Sequence, residues 1–227
     1  MPDFTRDGED AYVAYIQRFF ARWSRVYDLF ARPIAFAYRA AARQAGAGPG
    51  RAILDICTGT GEMALRCARL GADVTAIDVT DSMLQRAIAK TRGLPIRFHL
   101  MDARRLEFAA GAFDVSVLSF AVHDMPRVAR VAALREAARV AREAVVILDY
   151  DFPRREPWRA IVVGLVRLYE TAYLPDFARQ GLAPVLAEAG LEVSSVSHLL
   201  PGFCAIHVVR RAAPAVGPHH ISAGIGL

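Results

Sequence analysis

The stretch ILDICTGTGEMAL, residues 53–65, decides how this chain is read. An apolar run closes on Asp55. A loop of small residues with Gly59 and Gly61 follows, and then residues that favour a helix. Glycines so placed permit a tight turn and let a ligand approach the backbone closely. Asp78 ends the next apolar run, DVTAID, at the spacing where an acidic side chain can accept hydrogen bonds from ribose hydroxyls. Together these features predict a nucleoside ligand in the turn.

Outward from the loop the pattern alternates. RAILDIC reads as a strand and GEMALRCARLG as a helix closed by Gly71. DVTAID is a strand, and DSMLQRAIAKTRG a helix with Asp81 as N-cap and Gly93 as its stop. PIRFHLMD, FDVSVLSFAV and EAVVILDYDF are further strands, with the helix MPRVARVAALREAARVA before the last of them. Strands that are apolar almost throughout have both faces covered. Alternation with helices implies a doubly wound, mainly parallel α/β sheet. LEVSSVSHLL and GFCAIHVVRR, joined by PG, require an antiparallel hairpin and bring the expected sheet to seven strands.

Three segments lie outside that alternation. Residues 1–45 are expected to form a helical lid, because Tyr12, Ile16, Phe19, Trp23, Tyr27 and Phe30 recur at helical spacing. AGAGPG at 45–50 marks the boundary to a main domain over 46–211, with a helical insertion at about 155–175. The tail 212–227 has no period and is expected to be mobile, and its His219 and His220 are not expected to bind metal. The start, MPDFTRDGEDAY, is polar and acidic and does not read as a signal peptide.

The 227 residues are 54% hydrophobic and 22% charged, which suits a folded domain with a sizeable core. Cys57, Cys67 and Cys204 show neither CxxC spacing nor an even count, as expected in a reducing, cytoplasmic setting. A formal charge of +5 is compatible with an anionic partner without showing one. Charge also narrows the ligand. A dinucleotide lays its pyrophosphate on a helix N-terminus, and Asp55 and Glu62 flanking the loop would oppose it. The same carboxylates suit the ammonium and sulfonium of S-adenosylmethionine. A plainer role for Glu62 is to favour its own helix dipole, by roughly 0.3–1 kcal/mol.

From about residue 50 to 150 the chain resembles the class I S-adenosylmethionine-dependent methyltransferases. ILDICTGTGE looks like their first motif, AIDVTDSML like their second, and MDARRLEFAAGAFDVSVLSFAVHDMP like the segment whose strand opens onto the substrate. The resemblance implies methyl transfer that leaves S-adenosylhomocysteine. It implies a cofactor site of Asp55, Thr58, Gly59, Thr60 and Gly61 in the loop, and Asp78 on the ribose with Val79 beside it. Met83 would lie against the adenine, Asp102 on the adenine amine with Ala103, and Ser119 at the opening of the fourth strand. Cys57 stands where many members carry glycine, so altered packing with retained binding is expected.

A narrower resemblance extends further. FARWSRVYDLFARPIAFAYR resembles the N-terminal segment of the quinone-biosynthesis methyltransferases and of some bacterial phospholipid N-methyltransferases. LVRLYETAYLP, LAPVLAEAGL and GFCAIHVV resemble the quinone group's C-terminal third, while AVHDMPR stands where that group tends to carry RNV-like residues. The implied partner is a small, apolar or lipid-like acceptor of quinone or phospholipid type. No recognition domain, NPPY-type tetrad or basic tract points to nucleic acid.

Methyl transfer needs an aligned nucleophile, a dry pocket and sometimes a base. His123 is the candidate catalytic base, with pocket shaping or helix capping as the plainer role. Asp124 is expected to cap the following helix. Tyr27 could close over the cofactor's methionine end, or pack in the core. Trp158, Tyr169 and Tyr173 could line an acceptor pocket. The N-terminal stripe with Arg18, Arg22 and Arg25 reads as a lid, or as a surface lying on an anionic membrane. Two other functions remain open to the sequence: a nicotinamide-dependent oxidoreductase, and a non-catalytic S-adenosylmethionine-binding domain.

Overall fold

A computed structural model describes residues 6–23, 34–153, 155–168, 170–200 and 203–213. Tyr27, Arg25, Phe30, Tyr169, His219 and His220 lie outside the described residues.

Strand β1 (Ala52–Ile56) is central, paired in parallel with β2 (Asp73–Asp78) and β4 (Phe113–Ser119). β3 (Ile96–Leu100) extends the sheet beyond β2, and β5 (Ala141–Tyr150) lies beyond β4. β6 (Leu191–Leu200) and β7 (Cys204–Arg211) form the antiparallel hairpin, with β7 inserted between β5 and β6. The seven-stranded order is β3-β2-β1-β4-β5-β7-β6. The order reverses between β1 and β4, and in such sheets ligands bind beyond the carboxyl ends of the strands at that point. β1, β4 and β5 are buried along most of their length, which explains their unbroken apolar sequence.

Helices α1 (Arg6–Trp23) and α2 (Ala35–Gln44) precede the sheet. α3 (Glu62–Arg69) follows β1, α4 (Asp81–Lys90) follows β2, and α5 (Arg127–Val140) links β4 to β5. α6 (Trp158–Val166), α7 (Leu174–Gln180) and α8 (Ala183–Glu188) fill the connection to β6.

The N-terminal segment read as one lid divides in two. α2 buries Ala37, Tyr38, Ala41 and Ala42 in the main core against α3 and β5, because its alanine face permits close packing. α1 lies over the ends of the strands, where Gln17 donates from Nε2 to the Val79 carbonyl at 2.9 Å. Two helix caps also differ. Thr80 takes the N-cap of α4 and Asp81 lies in its first turn. Pro126 begins α5, which leaves Asp124 free of a capping role. Arg130 of α5 is fully buried and ties three elements together. It donates to the Val122 carbonyl at 3.0 Å, to Asp176 of α7 at 2.9 Å and to the Tyr173 carbonyl at 3.2 Å.

Candidate active site

The glycine loop is held by two buried aspartates. Asp55 turns back under the loop, accepting from the Thr58 hydroxyl at 2.5 Å and the Ala64 amide at 3.0 Å. Its other oxygen, Oδ1, is buried without a hydrogen-bond partner among the described residues. Burial pushes its pKa up to about 7, against the lowering effect of those two hydrogen bonds. Asp78 accepts from the Gly59 amide and the Thr80 amide, each at 2.8 Å. Burial raises its pKa as well. Gly59 and Gly61 both have positive φ, and a Cβ on Gly61 would stand 2.9 Å from Ala87 Cβ of α4. Glycine there serves the helix packing as much as the loop. Cys57 also has positive φ, at 57°, a strained conformation for a residue with a side chain.

A cavity opens beside the loop. Cys57, Thr58, Gly59, Thr60 and Glu62 line it from the loop, and Asp78, Val79 and Met83 from the end of β2 and the start of α4. Ser119, Phe120, Ala121, Asp124 and Met125 line it after β4. Tyr12, Ile16 and Phe20 of α1 and Tyr38 of α2 complete the wall with apolar and aromatic side chains. No lysine, arginine or histidine is among these lining residues. Glu62 is paired with Arg66 and stands 3.6 Å from Lys90.

Of the residues expected to hold a cofactor, Thr58, Gly59, Thr60, Asp78, Val79, Met83 and Ser119 come together on this wall. Gly61 caps α3 just behind it. Asp55 is behind the loop, so the carboxylates facing the cavity are Glu62, Asp78 and Asp124, not the expected pair of Asp55 and Glu62. Asp102 and Ala103 lie off the wall, and the Arg104 guanidinium engages the Asp102 carboxylate at 2.7 Å. The sequence reading missed Asp124, Phe120, Met125 and Tyr38 as wall residues. The nearest available signal was their position just after β4, or on an alanine-rich helix.

His123 is not on the wall. Its Nδ1–H donates to Asp149 Oδ1 at 2.6 Å, and Nε2 meets Glu170 at 3.2 Å and Asp124 at 3.4 Å. Burial alone would lower its pKa. The surrounding Asp124, Asp149 and Glu170 charges raise it well above the usual histidine value. Both ring nitrogens thus face carboxylates, Nδ1 toward Asp149 and Nε2 toward Glu170 and Asp124. Asp149 also accepts from the Val122 amide at 2.9 Å, the His123 amide at 3.3 Å and the Tyr150 amide at 2.7 Å. Glu170 receives the Tyr150 hydroxyl at 2.6 Å. The post-β4 turn is therefore pinned to β5 and to the segment after α6. Asp124, beside His123, lines the cavity, and its Oδ1 is buried without a hydrogen-bond partner among the described residues. Burial raises its pKa, His123 opposes that rise, and Glu170 and Asp149 add to it.

Trp158 does not line the cavity: it is 65% exposed on the outer face of α6. Tyr173 packs edge-on against Tyr12 and Tyr15 of α1, at 5.7 and 5.8 Å between ring centres.

Residues 53–144 match the model of a methyltransferase domain family. The demethylmenaquinone methyltransferase of Beutenbergia cavernae is 30% identical over 188 residues, covering 74% of this chain and 77% of that protein. The phosphatidylethanolamine N-methyltransferase of Cereibacter sphaeroides is 33% identical over 196 residues, covering 82% and 92%. A crystal structure of magnesium protoporphyrin IX methyltransferase from Synechocystis, with bound S-adenosylhomocysteine, superposes with a TM-score of 0.65 at 16% identity, covering 88% of this chain and 99% of that one. The chain belongs to the class I S-adenosylmethionine-dependent methyltransferases. It is a methyltransferase, and its cofactor is S-adenosylmethionine. The oxidoreductase alternative falls with that assignment. The wall also fits the cofactor chemically, since three carboxylates, and among the described residues no basic side chain, line the space a phosphate-free cation would fill.

Proposed function

We propose that the enzyme methylates a small acceptor with an apolar or lipid-like body, and that one cavity holds this acceptor beside the cofactor. The observation that carries this reading is the make-up of one wall: the glycine loop, Asp78 and Asp124 share it with the apolar and aromatic side chains of Tyr12, Ile16, Phe20 and Tyr38. Bound S-adenosylmethionine supplies a methyl group on a sulfonium, and transfer leaves S-adenosylhomocysteine. Gly59, Gly61 and Thr58 shape the backbone against which the cofactor rests. Asp78 accepts the ribose hydroxyls with the lone pairs its two amide bonds leave over, Val79 and Met83 flank the adenine, and Ser119 faces the methionine end. The aromatic wall of α1 excludes water and holds the acceptor in line, which can supply much of the acceleration. Asp124 meets the acceptor's reacting group, and its raised pKa suits a carboxylate that holds or receives a proton near neutral pH.

Quinone-type and phospholipid-type acceptors both fit this description, and the relatives that act on them support it. The test is a labelled-cofactor assay on a lipid extract and on a soluble-metabolite extract, with mass-spectrometric identification of the product. Label recovered only in polar, water-soluble products would reject the reading. Asp124→Asn should lower turnover at least tenfold with cofactor affinity retained, as loss of a charged hydrogen-bonding group at the reacting centre predicts.

A further inference from the structure

Helix α6 has two apolar faces. Val166 is buried and Val162 packs against the core. The other face points outward. Trp158, Ile161 and Leu165, with Leu168 just beyond the helix end, are 65%, 48%, 61% and 79% exposed. Their spacings of three, four and three place them in one stripe. Soluble proteins seldom leave large apolar side chains contiguous and bare without a use for them. Basic residues flank the stripe: Arg155 and Arg167 are exposed and Arg159 half-buried, with Glu156 as the acidic neighbour of Arg159 at 3.9 Å.

We infer that α6 is an interfacial helix that lays this stripe on an anionic lipid bilayer. An apolar face with a tryptophan, bordered by arginines, is the pattern of helices that rest in the headgroup region. The arginines can reach lipid phosphates while their stems lie along the apolar face. A second copy of the chain is a poorer occupant. At roughly 200 Å² per large apolar side chain and these exposures, the stripe offers about 500 Å², against the ~800 Å² per partner of stable protein pairs. A two-fold pairing of the stripe would also bring like-charged arginines together. Among the described residues no helix is long and apolar enough to cross a membrane, so this is surface contact.

The placement connects to the cavity. The chain after α6 carries Glu170, bound to His123 and Tyr150, and then Tyr173, which packs on Tyr12 and Tyr15 of α1. The Ala172 amide donates to the Tyr15 hydroxyl at 3.1 Å. Docking α6 would therefore hold the α1 wall near the bilayer, where a lipid-like acceptor resides. The purpose of the docking rests on the acceptor proposed above; its test does not.

The chain has two tryptophans, so Trp23→Phe leaves Trp158 as the sole reporter. With vesicles of phosphatidylcholine and phosphatidylglycerol, the emission of that variant should shift to shorter wavelength and the protein should float with the lipid. Pure phosphatidylcholine should bind it far less. Leu165→Asp/Leu168→Asp should lose more than about tenfold in vesicle affinity, since two leucines no longer leave water, while S-adenosylmethionine binding stays unchanged. Arg155→Glu/Arg167→Glu should weaken binding to the anionic vesicles alone. The inference is overturned if the wild type ignores anionic vesicles, if it binds neutral vesicles equally, or if it is a dimer that Leu165→Asp/Leu168→Asp converts to monomer. Methylation of a detergent-dispersed lipid without vesicle binding would end this inference and leave the proposed function standing. Vesicle binding with only polar products would do the reverse.

Discussion

The glycine loop and the layer around His123 are built on different principles. In the loop, the side chains of Asp55 and Asp78 bind the backbone between and beside them, within a window of 26 residues from Asp55 to Thr80. Around His123, the partners Asp124, Asp149, Tyr150 and Glu170, and Tyr173 packed on α1, come from segments far apart in the chain. The loop is a local device, set by spacing. The layer around His123 exists only after the fold has closed. A change in that layer should therefore cost stability, and a change in the loop should cost binding.

The largest effect tests the first half of that statement. Asp149→Ala removes the acceptor of three amides and of the His123 ring, although Glu170 and Asp124 still face that ring. Each buried donor left without its acceptor costs about 1–3 kcal/mol, so the sum is roughly 3 kcal/mol or more. Thermal unfolding should show a loss of that order, and a near-normal midpoint would mean that the post-β4 turn is held by other contacts.

Asp78→Ala tests the second half. The Gly59 and Thr80 amides lose their acceptor, and so do the ribose hydroxyls assigned to the same carboxylate. Hydrogen bonds to a charged group contribute roughly 1.5–3 kcal/mol, so S-adenosylmethionine affinity should fall tenfold or more in calorimetric titration. Unchanged affinity in the folded variant would remove Asp78 from the cofactor site.

This contrast also explains what could be read from the sequence. Strand order, the hairpin and the loop were legible because period, turn residues and a short motif are local. The side on which a group ends up was not. His123 sits one residue from Asp124, yet only Asp124 faces the cavity, because Asp149 and Glu170 from distant segments capture the histidine ring. α6 likewise reads as apolar, but periodicity cannot tell that Val162 and Val166 face the core while Trp158 and Leu165 face outward. The expected lid over residues 1–45 failed at α2 for a related reason: a helical stripe does not say what covers it, and the small side chains of Ala37, Ala41 and Ala42 are what let α2 enter the core.

A third test uses pH. Burial raises the Asp55 pKa from 3.8 to about 7 in the folded chain. Between those values the folded state holds more protons than the unfolded state, so this group makes stability fall as pH rises from about 4 to 7. The slope it contributes is at most about 1.4 kcal/mol per pH unit. Asp55→Asn should flatten that slope in unfolding midpoints measured without cofactor. An identical pH profile would show that Asp55 is ionised throughout.

The smallest effect concerns Cys57, whose φ of 57° sits in the left-handed region at the edge of the cavity. A Cβ there costs about 1–2 kcal/mol, and glycine gives back roughly 0.4–1 kcal/mol through the greater freedom of the unfolded chain. Comparing two substitutions isolates the backbone contribution, because both remove the sulfur. Cys57→Gly should be more stable than Cys57→Ala by about 0.5–1 kcal/mol in denaturant unfolding. Since the thiol is part of the wall, both should alter cofactor affinity far less than Asp78→Ala does. Equal stability of the two would mean that the loop relaxes out of the left-handed conformation once the thiol is gone. The loop would then be less rigid than its backbone hydrogen bonds imply, and the contrast with the layer around His123 would narrow accordingly.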